Sequence, residues 1–257
     1  MWGVDHVVMP RTVASKYVLP REPATIADDA VSDLLSPNFE LMTTLAFVAA
    51  VTERIKIGAA VAVLTIRNAV LNARQLATVD RYSNGRLVYG VGVGWLKEEA
   101  DAMNMPWDRR GARAEEQISL LRALWSAPGK HVEFHGEFWD IPPMDPEPRP
   151  IQQPIPILVG GHSEAAIDRA VRLGDGWITA GMSVERLSEL LPIVHVAAER
   201  HGREPSSVLI YCAGGRADVT VDALHRYQDL GVYSLQVGIE TLDELKRFAD
   251  EVLPRLR

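Results

Sequence analysis

The sequence of 257 residues contains one cysteine, so no disulfide can form within a single chain. A stabilising disulfide framework is thereby excluded, and a reducing compartment suits such a chain. The cysteine, Cys212, lies in the apolar run 208–213, which is typical of a buried and unreactive thiol. We therefore do not expect thiol chemistry.

Long apolar runs and long basic runs are also missing. No apolar run approaches the ~18 residues of a membrane span, and the N-terminus lacks the charged start and apolar core of a signal peptide. The formal net charge is -7 without a basic block, which argues against nucleic acid or an anionic membrane as the main partner. We expect a cytoplasmic protein that acts on a small molecule.

Two common site motifs do not occur. The histidines show neither His-x-His nor His-Glu-x-x-His spacing, so we assign no metal ligand and do not expect metal-dependent hydrolysis. Gly90, Gly92 and Gly94 form Gly-x-Gly-x-Gly, in which the third glycine comes one residue too early for the dinucleotide fingerprint.

What the sequence does contain is a regular alternation of apolar β-type runs and amphipathic helical runs, which predicts a parallel sheet. The predicted strands are 2–8, 55–64, 86–91, 155–159, 176–179, 208–213 and 234–238. The predicted helices are 39–53, 69–82, 112–126, 164–173, 184–201, 221–230 and 242–256.

This alternation favours a (β/α) barrel over a doubly wound sheet, whose first β–α unit would carry a phosphate fingerprint. We count seven units where a barrel needs eight, and the first strand starts almost at residue 1. We therefore predict one domain over 1–257, a barrel without its first β–α unit. A long connection at 9–37 and an insertion at 127–154 interrupt the pattern, and the insertion begins with a predicted hairpin whose turn is His135-Gly136-Glu137.

Candidate site residues follow the predicted strands, where α/β folds place their chemistry. Asp5 and His6 lie towards the end of the first predicted strand and form either a structural pair or a proton-handling group beside a ligand. The glycines at 90–94 leave a strip of bare backbone, suited either to close strand packing or to a flat ligand. Glu98 and Glu99 come soon after this strip, and either of them is a candidate acid.

A second glycine pair, Gly160-Gly161, stands between a predicted strand and a helix that Ser163 can cap. Exposed amides at such a turn and at the helix N-terminus bind anions, phosphate most often. An ordinary β–α turn is the alternative.

Taken in order, these pieces resemble the luciferase-like monooxygenase superfamily, and most of all its coenzyme F420-dependent oxidoreductase branch. The matching segments are WGVDHVV at 2–8, TERIKIG at 52–58, RQLATVD at 74–80, GRL at 85–87, GVGVGW at 90–95, RRG at 109–111, VGGHS at 159–163 and GDGW at 174–177. The resemblance implies a TIM-type barrel with a deazaflavin or flavin at the carboxyl ends of the strands, and commonly a homodimer.

Carried over by position, the resemblance assigns His6, Asp5 and Glu98 to catalysis. It assigns the following residues to the cofactor: Asp5, His6, Ala60, Val61, Gly92, Gly94, Glu98, Gly160, Gly161 and His162. It also implies a non-prolyl cis peptide bond at Ala60-Val61. Sugar-phosphate dehydrogenases of the family place a glutamate where this chain has Trp95, so we assign Trp95 to an apolar substrate. Arg67 is also assigned to substrate binding, and it is, with Arg11 and Lys16, a candidate to meet the anionic tail of the cofactor.

The activity that the resemblance implies is hydride transfer between coenzyme F420 and a small organic substrate. Two alternatives stay open. One is an FMN-dependent monooxygenase on the same fold, and the other is a non-catalytic or truncated relative that only binds a cofactor.

Overall fold

A computed structural model describes residues 1–15, 39–126, 131–213, 220–239 and 241–256. These residues fall into two compact units, one reaching to Ile157 and the other beginning at Leu158. Within these ranges no helix is long and apolar enough to cross a membrane. Most of the predicted connection at 9–37 and the start of the insertion at 127–154 lie outside the described residues. One domain over 1–257 stays a prediction.

The first unit is built on three described parallel strands, β1 to β3, as the alternation predicts. Trp2 lies opposite Gly58 in the β1–β2 pair, and Ile57 lies opposite Leu87 in the β2–β3 pair. The elements in chain order are β1 (Trp2–Gly3), α1 (Leu41–Val51), β2 (Ile57–Val63), a 3-10 turn (Leu64–Ile66), α2 (Ala69–Tyr82), β3 (Leu87–Gly92), α3 (Lys97–Ala102), α4 (Arg110–Trp125), β4 (Val132–His135) and β5 (Asp140–Met144).

The first strand is much shorter than the predicted 2–8, and that prediction is wrong beyond Gly3. The reason is that the following backbone bonds to side chains instead of to a neighbouring strand. The amides of Val7 and Val8 both donate to the carboxylate of Glu99. The short helix α3, which contains Glu99, was not predicted either.

The predicted hairpin in the insertion is confirmed, since β4 and β5 pair antiparallel with His135 opposite Asp140. The carboxylate of Glu116 on α4 holds the turn by accepting from the amides of Glu137, Phe138 and Trp139, at 2.8 Å each. A Cβ at Gly136 would collide with this carboxylate, so a larger residue there would displace the Glu116 side chain from the turn.

The second unit contains the parallel strands β6 to β9, with Leu158 opposite Gly176, Gly176 opposite Leu209 and Tyr211 opposite Ser234. Its elements are β6 (Ile157–Gly160), α5 (Glu164–Leu173), β7 (Gly176–Thr179), α6 (Val184–Arg200), a 3-10 turn (Pro205–Ser207), β8 (Leu209–Ala213), α7 (Val221–Asp229), β9 (Ser234–Gln236) and α8 (Leu242–Arg247).

The last predicted helix, 242–256, is only partly confirmed. Regular α-helix ends at Arg247, and a π-helical turn (Phe248–Val252) and a 3-10 turn (Leu253–Leu256) follow. Pro254 accounts for the change, because a proline has no N–H and its ring clashes with the carbonyl four residues earlier.

A buried arginine ties the carboxyl ends of α1 and α2 together. Arg86 is 8% exposed and donates to the carbonyls of Ala49, Thr52, Ile55 and Ser83, and to the Thr52 hydroxyl, at 2.6 to 3.0 Å. The carbonyls at a helix end have no partner within the helix and carry partial negative charge. The guanidinium of Arg86 gives these carbonyls hydrogen-bond partners and places a positive charge beside their partial negative charge.

We expect Arg86→Lys to lower the free energy of unfolding by about 3 kcal/mol, because an ammonium cannot reach both helix ends and leaves buried carbonyls unpaired. Urea unfolding followed by circular dichroism measures the change. The exposed Arg54 is the control, and Arg54→Lys should leave stability within ~0.5 kcal/mol. Equal effects of the two substitutions would contradict this account of Arg86.

Candidate active site

Half-buried residues occur in the middle of β2 and just after β1 and β3. Ala60 and Val61 are half-buried in the middle of β2, whereas the other residues of that strand are buried. The peptide bond between them is cis, as the resemblance implies. His6 and the segment 92–95 are also half-buried. The predicted site residues of the first unit therefore lie where the strands are only partly covered, although the His6 side chain is itself only 8% exposed.

Asp5 lies in a buried ion pair. Its carboxylate is 4% exposed and accepts from the Val63 amide at 2.9 Å and from Arg67 Nε and Nη2 at 3.0 and 2.6 Å. Burial alone lowers the pKa of Arg67, but the hydrogen bonds and charge of Asp5 outweigh it and raise that pKa above its ordinary value. Arg67 thus stays charged, and Asp5 holds the ends of β1 and β2 together.

His6 is held between Glu99 and Trp95. Its Nδ1 lies 2.8 Å from Glu99 Oε2, and its ring meets the indole of Trp95 edge-on with 5.9 Å between centroids. Glu99 is 1% exposed. Of the two adjacent glutamates, Glu99 is therefore the one that reaches the histidine, although the sequence led us to assign Glu98.

Glu98 faces a different part of the same loop. Its carboxylate accepts from the Ala14 amide at 2.7 Å and from the amide and hydroxyl of Ser15 at 3.1 and 2.6 Å. The Ser15 hydroxyl in turn accepts from the Lys97 amide at 3.0 Å, so it caps α3 from outside the helix. The hydrogen bond from Ser15, with those from backbone amides, lowers the pKa of Glu98 to about 2. A carboxyl with that pKa holds almost no proton near neutrality, which does not suit a proton donor.

Gly92 at the end of β3 and Gly94 just after it make room for side chains of β2. A Cβ at Gly92 would lie 2.8 Å from Val61 Cγ2, and one at Gly94 would lie 3.0 Å from Val63 Cγ1. Gly94 also has φ +78°, which favours glycine. The space beside both glycines is thus filled by valines, and their assignment to the cofactor stays a prediction.

The second unit carries the other predicted cofactor residues, Gly160, Gly161 and His162, between β6 and α5. Gly161 has φ +120°, and a Cβ there would lie 2.7 Å from Ala166 Cβ. The Nε2 atom of His162 is buried and has no hydrogen-bond partner among the described residues. Burial and the charge of Arg186 lower the pKa of His162, so its ring is neutral near pH 7.

An unpaired buried ring nitrogen is costly unless a ligand satisfies it. With the tight glycine turn and the start of α5, it makes a polar cradle that fits an anionic cofactor tail. The apolar, half-buried face of β2 in the first unit fits a flat ring. Each of these two sets of residues, taken by itself, is compatible with one part of a flavin-type cofactor.

A profile of the family described as luciferase-like monooxygenase matches residues 15–230. The chain belongs to the luciferase-like monooxygenase family. An uncharacterised protein of Mycobacterium tuberculosis is 37% identical over 203 residues, which cover 79% of this chain and 68% of that relative. An FMNH(2)-dependent dimethylsulfone monooxygenase of Pseudomonas putida is 36% identical over 157 residues, which cover 60% of this chain and 42% of that enzyme.

Solved structures of similar fold include an F420-dependent secondary alcohol dehydrogenase in complex with an F420-acetone adduct. Its TM-score is 0.72 at 17% identity, and the match covers 86% of this chain and 85% of the dehydrogenase. The monooxygenase RslO1 from Streptomyces bottropensis has a TM-score of 0.72 at 22% identity, with 86% and 84% covered. At these identities the likeness establishes the fold alone. The predicted α/β fold of the luciferase-like barrel class is confirmed, and membership of the family supports an oxidoreductase or monooxygenase in general terms.

We expect the contact between Glu98 and Ser15 to persist into acid. Because the pKa of Glu98 in the folded chain lies below its ordinary 4.5, the stabilisation it gives is present above pH 4.5 and is lost as the pH falls through about 2. The amide NMR signals of Ala14 and Ser15 should titrate with a midpoint well below 4.5 and lose this transition in Glu98→Gln. The substitution Glu53→Gln, on an exposed glutamate, is the control. A midpoint at 4.5 would contradict the contact.

Proposed function

We propose that this chain is a cytoplasmic oxidoreductase that transfers hydride between coenzyme F420 and a small organic substrate. The observation that carries the proposal is the placement of His6 after β1, with its ring fixed by Glu99 and Trp95. A histidine so held is suited to moving a proton or stabilising charge beside a redox ring. Solved structures of similar fold that act with F420 add support.

Each site residue has a distinct part in this proposal. Coenzyme F420, when bound, would supply the hydride chemistry, and the protein would bind, orient and exclude water. His6 would meet the reacting atoms, while Asp5 positions it through its buried pair with Arg67. Trp95, beside His6, would pack against the apolar part of the substrate.

The remaining predicted residues would hold the cofactor. Ala60 and Val61 offer the half-buried apolar face for its ring. Gly160, Gly161 and His162 would receive its anionic tail, with the unpaired Nε2 of His162 bonding to it. Glu98 would act indirectly, by holding Ser15 and the start of α3 in place.

A second candidate is an FMN-dependent monooxygenase, which the match to an FMNH(2)-dependent relative favours. Asp5 and His6 support F420 over FMN only modestly, since both cofactors present a flat ring and an anionic tail.

Equilibrium titration of the purified chain with F420 and with FMN, followed by cofactor fluorescence, tests the proposal. We expect F420 to bind at least tenfold more tightly. His162→Ala should weaken F420 binding about tenfold or more, because a hydrogen bond to a charged group contributes roughly 1.5–3 kcal/mol. His195→Ala, at an exposed histidine on α6, is the matched control and should leave the affinity unchanged.

The outcomes separate the candidates. Preference for FMN would support the monooxygenase and overturn the F420 proposal. Binding of neither cofactor would favour the non-catalytic alternative.

We further propose that the chain forms a homodimer through α1. This helix has no charged residue, and Phe47 and Val51 are 67% and 62% exposed one turn apart. A helix that is apolar all round is normally buried. Tyr82, at the end of the neighbouring α2, is 65% exposed. With Phe47 it offers roughly 250 Å² of the about 800 Å² that a standard interface buries per partner.

We expect Val51→Asp to convert the dimer to a monomer in analytical ultracentrifugation. Val196→Asp is the matched control, since Val196 is a valine on α6 that is 54% exposed. It should leave the dimer intact. A monomeric wild-type chain, or an unchanged dimer in Val51→Asp, would refute the proposed interface.

A further inference from the structure

We propose that Glu99 is a positioning residue that fixes the tautomer of His6, with the hydrogen on Nδ1 and Nε2 left bare as an acceptor. This inference deepens the proposed function and takes its catalytic meaning from it. The arrangement of the ring itself can be tested without any cofactor.

The two oxygens of Glu99 have separate tasks. Oε1 accepts from the Val7 amide at 2.6 Å and from the Val8 amide at 3.5 Å, and Oε2 lies 2.8 Å from His6 Nδ1. Because backbone amides hold one oxygen, the other has a fixed direction. The histidine and the amides belong to one short stretch of chain, so the carboxylate and the ring are oriented together.

The helix that carries Glu99 is itself fixed in rotation. Ala100 is 3% exposed and packs in an apolar cluster with Val63 and Ile66, against which Trp107 also lies. With Ala100 turned into that cluster, α3 cannot rotate without exposing it to water. The side chain of Glu99 is therefore held in its direction by packing as well as by hydrogen bonds.

No other acid of the site performs this task. The carboxylate of Asp5 is taken by the Val63 amide and by Arg67, and that of Glu98 by Ala14 and Ser15. Glu99 is the acid that bonds to the ring of His6 among the described residues.

The chemistry of the pair decides the tautomer. An ionised carboxylate can only accept a hydrogen bond, so Nδ1 of His6 must donate. A neutral imidazole has a single N–H, and Nε2 then carries a free lone pair. No described residue bonds to Nε2. Nε2 of neutral His6 therefore accepts a hydrogen bond from a donor group of a ligand. A carbonyl oxygen, which has no hydrogen to donate, is disfavoured next to Nε2.

The test is the nitrogen NMR spectrum of the histidine side chains, recorded at a pH high enough that the spectrum shows the His6 ring to be neutral. The His6 signals are assigned by their loss in His6→Asn. In the wild-type chain we expect the shift pattern of a ring that is protonated on Nδ1. In Glu99→Gln the pattern should reverse, because the amide oxygen stays with Val7 and the amide N–H₂ donates to Nδ1.

Glu53→Gln is the matched control, since it makes the same chemical change on an exposed glutamate that touches neither His6 nor α3. Its His6 spectrum should equal that of the wild type. A wild-type ring protonated on Nε2 would overturn the inference even if Glu99→Gln did not fold. So would a folded Glu99→Gln in which the pattern is unchanged. Failure of F420 to bind would count against the proposed function and leave this result standing.

Discussion

The ion pair between Asp5 and Arg67 is the constraint on which the first unit depends. Asp5 follows β1 and Arg67 follows β2. Their bidentate contact, between residues 62 apart in sequence, joins the ends of two strands. The backbone carbonyl of Arg67 also accepts from Gln117 on α4, and its guanidinium approaches Glu40 at the start of α1. Removing one partner of a buried pair leaves an uncompensated charge, which is strongly destabilising.

Several other charged side chains in both units bond to backbone groups. Arg149 donates to the carbonyls of Leu124 and Ser126 at the end of α4, and Arg203 donates to those of Val171 and Gly174 after α5. Asp80, which is fully buried, accepts from the amides of Ile151 and Gln152. These contacts replace the partners that helix ends and connections otherwise take from water.

Much of the fold could be predicted from the sequence because its elements follow local rules. The predicted bounds of α2, α5 and β7 agree with the structure, since Asn68 and Ser163 cap the two helices and glycine opens the strand. The hairpin at His135 could be found for the same reason. The alternation of strands and helices favoured a (β/α) barrel, and the resemblance supplied the luciferase-like kind of barrel.

The contacts of the site could not be predicted, because they join residues far apart in sequence. Ser15 caps α3 from 82 residues away, so no local signal marks the helix. Without that helix, Glu98 and Glu99 cannot be distinguished. With it they point about 100° apart, and only one of them can face His6.

The external cap on α3 has a consequence for how the site responds to a ligand. A helix of six residues is far too short to persist by itself, so α3 and the loop that carries His6 and Ser15 order as one cooperative piece. Whatever stabilises that loop also stabilises the helix, and with it the direction of the Glu99 carboxylate. Binding of a ligand beside this loop would thus be coupled to the ordering of α3. The ligand would stabilise the arrangement of Glu99 and His6, and that arrangement would in turn favour the ligand.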